Sequence, residues 1–478
     1  MGRIVWKLRA WLVVLTAAPV LATCARDSGD VIPPAELTAF VDSIIPAEMA
    51  SQHIPGAAFV FVQNGRVVLE RSFGMADIEH NRAVDTHTIW RIGSISKVFT
   101  ATAVMQLVDR GQVELDAAVD RYVRRVTIPH TYPDSITVRH LLTHTAGFDE
   151  IRPGTQAATE DGILPLADFL RDKLVRVRPP GRVIAYSTYG ITLAGELVED
   201  VSGVPFETYM QQNIWAPLGM EHTCITVPQA WAGHVARGYE VDGDSAVAQA
   251  WEWYHTTPAS SINATVSDMA RFMMAHLGGG VMGKARILSE HAEAEMQRQQ
   301  ITMDPDLPGY ALGFSEDFVG GLRVIEHGGN VAGFSAQMVL IPDANAGFFV
   351  VNHLEGSRLR DNLRWTLLPR FFARARERKT VPPLPAPASV RAERFAGRYA
   401  PLTSCWSCNP VRVGSLLPVT ANDDGTLAFA GGRFVAVDSL RFVNDRGSGY
   451  IAFRADSAGA IQYLFAGAFW GFQKIPEE

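Results

Sequence analysis

Runs with strand character stand at both ends of residues 57–351, and runs with helical character fill the interval between them. Ala57 to Gln63 is β-rich, Asn64-Gly65 is a strong two-residue hairpin turn, and Arg66 to Arg71 returns as a second strand. Strand signals come back only at Leu322 to Glu326, Phe334 to Ile341 and Gly347 to Val351. Between them, helical spacing covers Ser94–Asp109, Val138–Leu142, Leu164–Val175, Tyr189–Val201, Pro205–Ile214 and Ser267–Leu277. A further helical segment, Pro33 to about Gln52, precedes the first hairpin. Strands first, helices inserted and strands last allow the two ends to pair in one sheet, which predicts an α+β fold.

Beyond this unit, residues 376 to 391 form a proline-rich stretch that reads as a linker. The tail after it carries short β-like runs separated by turn signals such as Asn422-Asp423-Asp424-Gly425 and Gly431-Gly432. It reads as a small separate β-barrel or sandwich. A chain of 478 residues is long enough for two or three domains. The expected division is a leader at 1–25, a catalytic-sized domain at 36–372, a linker at 373–391 and a small lipocalin-like β-domain at 392–478.

The leader is read from its charge and hydropathy. Arg3, Lys7 and Arg9 precede the short apolar run Ala10 to Val20, as in an export signal. Leu21-Ala22-Thr23-Cys24 resembles a lipoprotein box, with an unfavourable Thr before the cysteine. Cleavage after Ala22 or Ala25 and an uncleaved anchor are the alternatives to lipidation of Cys24. The expectation is export to a bacterial periplasm, or lipid anchoring at the envelope. In that oxidising setting Cys405-Trp406-Ser407-Cys408 reads as a local disulfide or two free thiols rather than a zinc or redox site. Cys224 is isolated and reads as a small buried residue. A net charge of −7 with no basic stripe argues against nucleic acid as a partner.

The chemistry starts from a scarce residue. Six of the 43 basic residues are lysines, and only Lys97 has a serine three positions before it. At that spacing on a helix, Ser94 and Lys97 share a face. Val98, Ala101, Val104, Met105 and Val108 make the helix apolar, so Lys97 is expected to be buried, where desolvation disfavours its charge. An amine poised near neutrality beside a hydroxyl can make serine a nucleophile.

Three further segments give this pair a context. Trp90 to Thr100, with Ser94-Ile95-Ser96-Lys97, resembles the nucleophile helix of the serine β-lactamase and penicillin-binding protein superfamily. Arg139-His140-Leu141-Leu142-Thr143-His144-Thr145-Ala146-Gly147 resembles a segment of its class C-like branch. Pro180-Gly181 followed by Tyr186-Ser187-Thr188 resembles the Tyr-x-Asn region, and Glu326-His327-Gly328-Gly329-Asn330 resembles the Lys-Thr-Gly motif. The resemblance runs from about residue 36 to 355 in the family's order. It implies a β-lactamase/transpeptidase-like α/β sandwich, an antiparallel sheet flanked by helices, with the small all-β domain appended. It also implies catalysis by Ser94, Lys97 and Tyr186 without metal or organic cofactor. Ser94 would be the nucleophile, Tyr186 the general base and then acid, and Lys97 the cation that sets their protons. Thr188, His327, Gly328, Gly329 and Asn330 would contact substrate, with the amides of Ser94 and Asn330 holding the oxyanion.

Two departures bear on substrate. Thr188 stands where asparagine is usual and lacks its amide, and His327 stands where lysine is usual. Both weaken the grip on an amide-bearing substrate with a carboxylate. The expected activity is therefore acyl transfer to water from esters or small D-amino-acid amides and peptides. A weak β-lactamase or D,D-carboxypeptidase, a penicillin-binding-type sensor with slow turnover, and an acyltransferase are the alternatives. His140 and His144 read as structural residues sharing a helical face, and Asp149 and Glu150 as solvated loop charges.

Overall fold

The computed structural model describes residues 31–151, 153–319, 321–372, 391–408, 416–445 and 449–476. The expected leader, Cys24 and linker residues 373–390 lie outside the described residues. Helix α1 (Pro34–Gln52) starts with Pro34 at its first position, where a missing N–H costs nothing. It ends at His53, whose left-handed backbone (φ 54°) returns its N–H to the Met49 carbonyl. The first hairpin follows as β1 (Gly56–Gln63) and β2 (Arg66–Asp77), turned by Asn64 and Gly65, both with positive φ. A short β3 (Arg82–Ala83) closes that edge.

The strands at the far end are β4 (Ser315–Val319), β5 (Leu322–Val331), β6 (Phe334–Ile341) and β7 (Ala346–Asn352). They join the first hairpin in one seven-stranded sheet of order β4-β5-β6-β7-β1-β2-β3. The joining seam is antiparallel, with Ala57 opposite Asn352 and Gln63 opposite Ala346. All eight residues of β1 are buried, because both faces of the sheet are covered. Phe59 and Phe61 face α1 and α10 (Leu359–Phe372), whose Leu37, Val41, Leu363 and Leu367 complete one core. Ala58, Val60 and Val62 face the larger core built by the inserted helices. Each buried Phe contributes roughly 1.5–3 kcal/mol, so the two-sided arrangement rests on alternate residues of one strand.

The inserted helices include α2 (Ser96–Asp109), α3 (Val138–Leu142), α4 (Leu166–Leu170), α5 (Thr188–Ser202), α6 (Phe206–Met210), α7 (Thr257–Ser260), α8 (Val266–Leu277) and α9 (Glu290–Gln297). α2 and α8 meet through the stacked rings of Phe99 and Phe272, 3.7 Å apart. The expected helix at Leu164–Val175 shrinks to α4, and the one at Pro205–Ile214 gives way at Met210 to a π-helical turn, Gln211–Trp215. α3 is too short to carry both motif histidines. His144 lies beyond its end in a left-handed conformation (φ 55°), so His140 and His144 do not share a helical face. No described helix is long and apolar enough to cross a membrane.

The C-terminal part is a closed barrel of eight strands, from Gly397–Pro401 to Gly471–Lys474, closed by pairing of those two. Phe395, Tyr399, Phe442 and Phe453 fill its interior. The barrel packs on the larger domain. Leu402, Ala452 and Phe465 form one apolar cluster with Val183, Ile184, Ala185, Met303, Leu307 and Tyr310. Arg454 donates to the carbonyls of Arg182 (2.6 Å) and Met303 (3.2 Å), and Arg178 to that of Leu402 (3.3 Å). Segment 178–185, which leads directly to Tyr186, is therefore held from the barrel side.

Candidate active site

Ser94 lies in a 3-10 turn, Gly93–Ile95, that runs straight into α2. Gly93 has φ +55°, and a Cβ there would meet the backbone nitrogen of Asn330 at 3.0 Å. Ser96 ties the turn down by donating to the Gly93 carbonyl (2.6 Å) while accepting from the Ile262 N–H (3.0 Å). Ser94 itself is half-buried.

One turn further, Lys97 is buried, with 1% of its surface exposed. Its Nζ lies 3.1 Å from Ser94 Oγ and donates to the Ala259 carbonyl at 2.9 Å. That carbonyl is aimed by α7, which Thr100 anchors through a 2.6 Å hydrogen bond to Pro258 O. The same Nζ stands 4.9 Å from the centroid of the Tyr186 ring. Burial pulls the Lys97 ammonium from 10.5 down to about 7, against the opposing pull of the Glu150 carboxylate. Near neutral pH the amine therefore exists in both states, beside a hydroxyl.

Strand β5 continues through the His327-Gly328-Gly329-Asn330 segment instead of stopping at Glu326. β4 pairs with it only as far as Ser315 opposite Glu326. On that side the 93–95 turn takes the place of a strand: a Cβ on Gly329 would lie 2.0 Å from the Ile92 carbonyl and 3.3 Å from Ser94 N. Only glycine permits this approach, which brings the backbone of Gly329 and Asn330 against Ser94. The Asn330 side chain points away, its Oδ1 accepting from Gly356 N at 3.2 Å.

His327 is buried, and its Nδ1 bonds to the Gly328 carbonyl at 2.7 Å. Burial first, then the nearby Lys97 cation, push its imidazole down to about 3, so it is neutral at ordinary pH. His144 is also kept neutral by burial, and its Nδ1 accepts from the Ser187 N–H at 3.1 Å. Its ring lies 4.4 Å from that of Tyr186, so the Thr143-His144-Thr145 segment positions the Tyr186 loop. Thr188 opens α5 and donates its N–H to Glu150 Oε2 at 2.8 Å.

Asp149 and Glu150 are thus not solvated loop charges. Asp149 is buried and accepts from Trp406 N (2.9 Å), Ser407 N (2.8 Å) and Ser407 Oγ (2.6 Å). The loop doing this is closed by a Cys405–Cys408 disulfide. Cys224 is a buried free thiol that burial pushes up to about 12. One residue escaped sequence reasoning altogether. Phe469, on the barrel turn between Phe465 and Gly471, packs on Tyr186 (5.7 Å), Tyr310 (5.3 Å) and His327 (6.2 Å). No local pattern marks it, since its partners lie far away in sequence.

A mixed sheet-and-helix sandwich with serine, buried lysine and tyrosine gathered beside the glycine-rich end of strand β5 defines the serine β-lactamase and penicillin-binding protein class, whose members are serine hydrolases. The Beta-lactamase family matches residues 41–368, and the chain belongs to it. Protein Flp of Staphylococcus aureus (strain MW2) is 24% identical over 322 residues, 66% of this chain and 62% of that protein. The chain thus spans less than two thirds of Flp. Penicillin-binding protein 4 of Amycolatopsis lactamdurans is 29% identical over 261 residues, covering 52% of this chain and 66% of that protein. Among solved structures, an octameric penicillin-binding protein homologue from Pyrococcus abyssi superposes with a TM-score of 0.62 at 23% identity. It covers 91% of this chain and all of its own. SurE superposes with a TM-score of 0.66 at 21% identity, covering 92% and 99%.

Proposed function

We propose that this chain is an exported serine hydrolase that works through an acyl-serine intermediate on esters or small D-amino-acid amides and peptides. The observation that carries the reading is the 3.1 Å contact between Ser94 Oγ and a lysine held near neutrality. In this reading Ser94 Oγ attacks the substrate carbonyl carbon as its proton passes to the Lys97–Tyr186 pair. The carbonyl oxygen becomes an oxyanion held by the N–H groups of Ser94 and Asn330. Collapse breaks the bond to the leaving group, which takes a proton delivered through Tyr186. Water then enters by the same route, and the acid leaves with Ser94 restored.

The two departures from the family pattern support esters and small amides over β-lactams. His327 is neutral where the family has a lysine, so it supplies no charge for a carboxylate. Thr188 commits its N–H to Glu150 and has no side-chain amide. Export is part of the same proposal, and the Cys405–Cys408 disulfide supports an oxidising compartment.

Turnover of p-nitrophenyl acetate, abolished in Ser94→Ala, is the expected result. Full turnover in that variant would overturn the reading. Stoichiometric acylation without turnover would mark a penicillin-binding-type sensor instead, and ester formation with an added alcohol an acyltransferase.

A further inference from the structure

We infer that the barrel turn Ala466–Trp470 is a wall of the substrate site, and that Phe469 selects an apolar, uncharged leaving group. The turn joins strands Ile461–Phe465 and Gly471–Lys474 and is closed by the Ala466 N–H to the Trp470 carbonyl at 2.8 Å. Its sequence, Ala466-Gly467-Ala468-Phe469-Trp470, has no charged residue. Exposed turns of small barrels are ordinarily polar, and two adjacent aromatic rings at such a tip call for a partner surface. Phe469 has one. It contacts the rings of Tyr186, Tyr310 and His327, yet 36% of it stays exposed, and Trp470 beside it is 65% exposed.

Holding the two domains together does not require this ring. Leu402, Ala452 and Phe465 already bury themselves against Val183–Ala185, and Arg454 and Arg178 fasten the same seam. What Phe469 adds is a face of the cleft. Phe469 and the half-buried Tyr186 form that face, and the buried rings of Tyr310 and the neutral His327 back it, so it is aromatic and uncharged. The charged groups near it are Lys97 and Glu150, which act on each other, and Arg360, which is committed to the carbonyls of Gly329 and Ala336. The inference rests on the acyl-enzyme reading. There Tyr186 protonates the departing group, so a ring packed on Tyr186 and His327 meets the leaving group and not the acyl group. An aryl or alkyl alcohol or amine gains from stacking on this face, whereas a carboxylate there would be desolvated without a partner.

Two esters with a common acyl group test this: 1-naphthyl acetate and 4-carboxyphenyl acetate. Both form the same acetyl-enzyme, so differences in kcat/KM report acylation and the leaving group. Comparing each variant with the parent cancels the intrinsic reactivities. Phe469→Ala is expected to lower kcat/KM for the naphthyl ester about tenfold or more and to leave the carboxyphenyl ester within about threefold, the gap being what loss of one aromatic contact gives. Phe469→Lys should shift the ratio further toward the carboxylate ester, and Phe469→Tyr should restore the parent ratio. Labelling of Ser94 by a fluorophosphonate counts competent sites, so a poorly folded variant is normalised rather than misread. Equal loss for both esters, or an unchanged ratio in Phe469→Ala and Phe469→Lys, would overturn the inference. Failure of the acyl-enzyme reading looks different: Ser94→Ala would then keep its turnover of both esters.

Discussion

Lys97 Nζ stands 3.1 Å from Ser94 Oγ inside a helix whose neighbouring residues are buried, and its other hydrogen bond is to a backbone carbonyl, Ala259 O. Neither partner neutralises the ammonium. Burial therefore acts on Lys97 with only the Glu150 carboxylate opposing it, and the amine can release its proton near neutral pH.

A pH profile follows from that balance. With the Lys97 ammonium near about 7, kcat/KM for a neutral ester should rise as pH increases through that value and level off above it. Glu150→Gln removes the charge that raises Lys97, so its rising limb should move to lower pH. Lys97→Arg, which stays charged, should lower kcat/KM by about a thousandfold or more. His327, already neutral, should add no inflection near 6.5. Stopped-flow or steady-state profiles on p-nitrophenyl acetate check all four statements.

Close backbone approach at the strand edge gives a second expectation. Gly329→Ala would put a Cβ 2.0 Å from the Ile92 carbonyl and must push β5 away from the Ser94 turn. Acylation should fall by roughly a hundredfold or more, the scale of losing one oxyanion donor. Gly65→Ala is the contrast. Its Cβ would meet nothing within 4 Å, leaving only the cost of φ +70°, about 1–2 kcal/mol of stability. Acylation rate per labelled site and thermal midpoint separate the two effects.

The barrel should matter for activity through Asp149. Its carboxylate accepts three hydrogen bonds from the Trp406–Ser407 segment, and the next residue, Glu150, holds the N–H of Thr188 at the start of α5. Asp149→Ala removes a buried carboxylate that accepts from three donors of a part-buried loop, a loss of roughly 1.5–3 kcal/mol. Removing the disulfide that closes this loop, as Cys405→Ser with Cys408→Ser, should act in the same direction. Both variants should show a lower thermal midpoint and slower ester hydrolysis, measured on folded, non-aggregated protein recovered by gel filtration.

Much of this was legible in residue patterns, and the exceptions have physical causes. The Asn64-Gly65 hairpin, the Phe334–Ile341 strand and the apolar spacing of α2 are local signals, and the structure carries them as read. Strand signals end at Glu326 while β5 runs on to Val331, because Gly328 and Gly329 carry no strand propensity and are there for the close approach of the nucleophile-bearing turn. α9 and α10 carry little helical signal, since the Glu-rich α9 buries only Ala292, Glu293 and Met296, and arginines and Pro369 interrupt the apolar stripe of α10. Ser94, Lys97, Tyr186 and the His327–Asn330 segment do converge at one place. Glu150 and Phe469 carry no local signal as site residues, since Glu150 meets the start of α5 only through the fold of its own domain and Phe469 reaches the cleft only through domain packing.

Covalent labelling of Ser94 tests the central claim most directly. Folded protein incubated with a fluorophosphonate, then analysed by intact mass and peptide mapping, should carry a single adduct on the peptide containing Ser94. The adduct should be absent from heat-denatured protein and strongly diminished in Lys97→Arg. Ester hydrolysis that continues while Ser94 remains unlabelled, or an adduct on any other residue, would contradict the account.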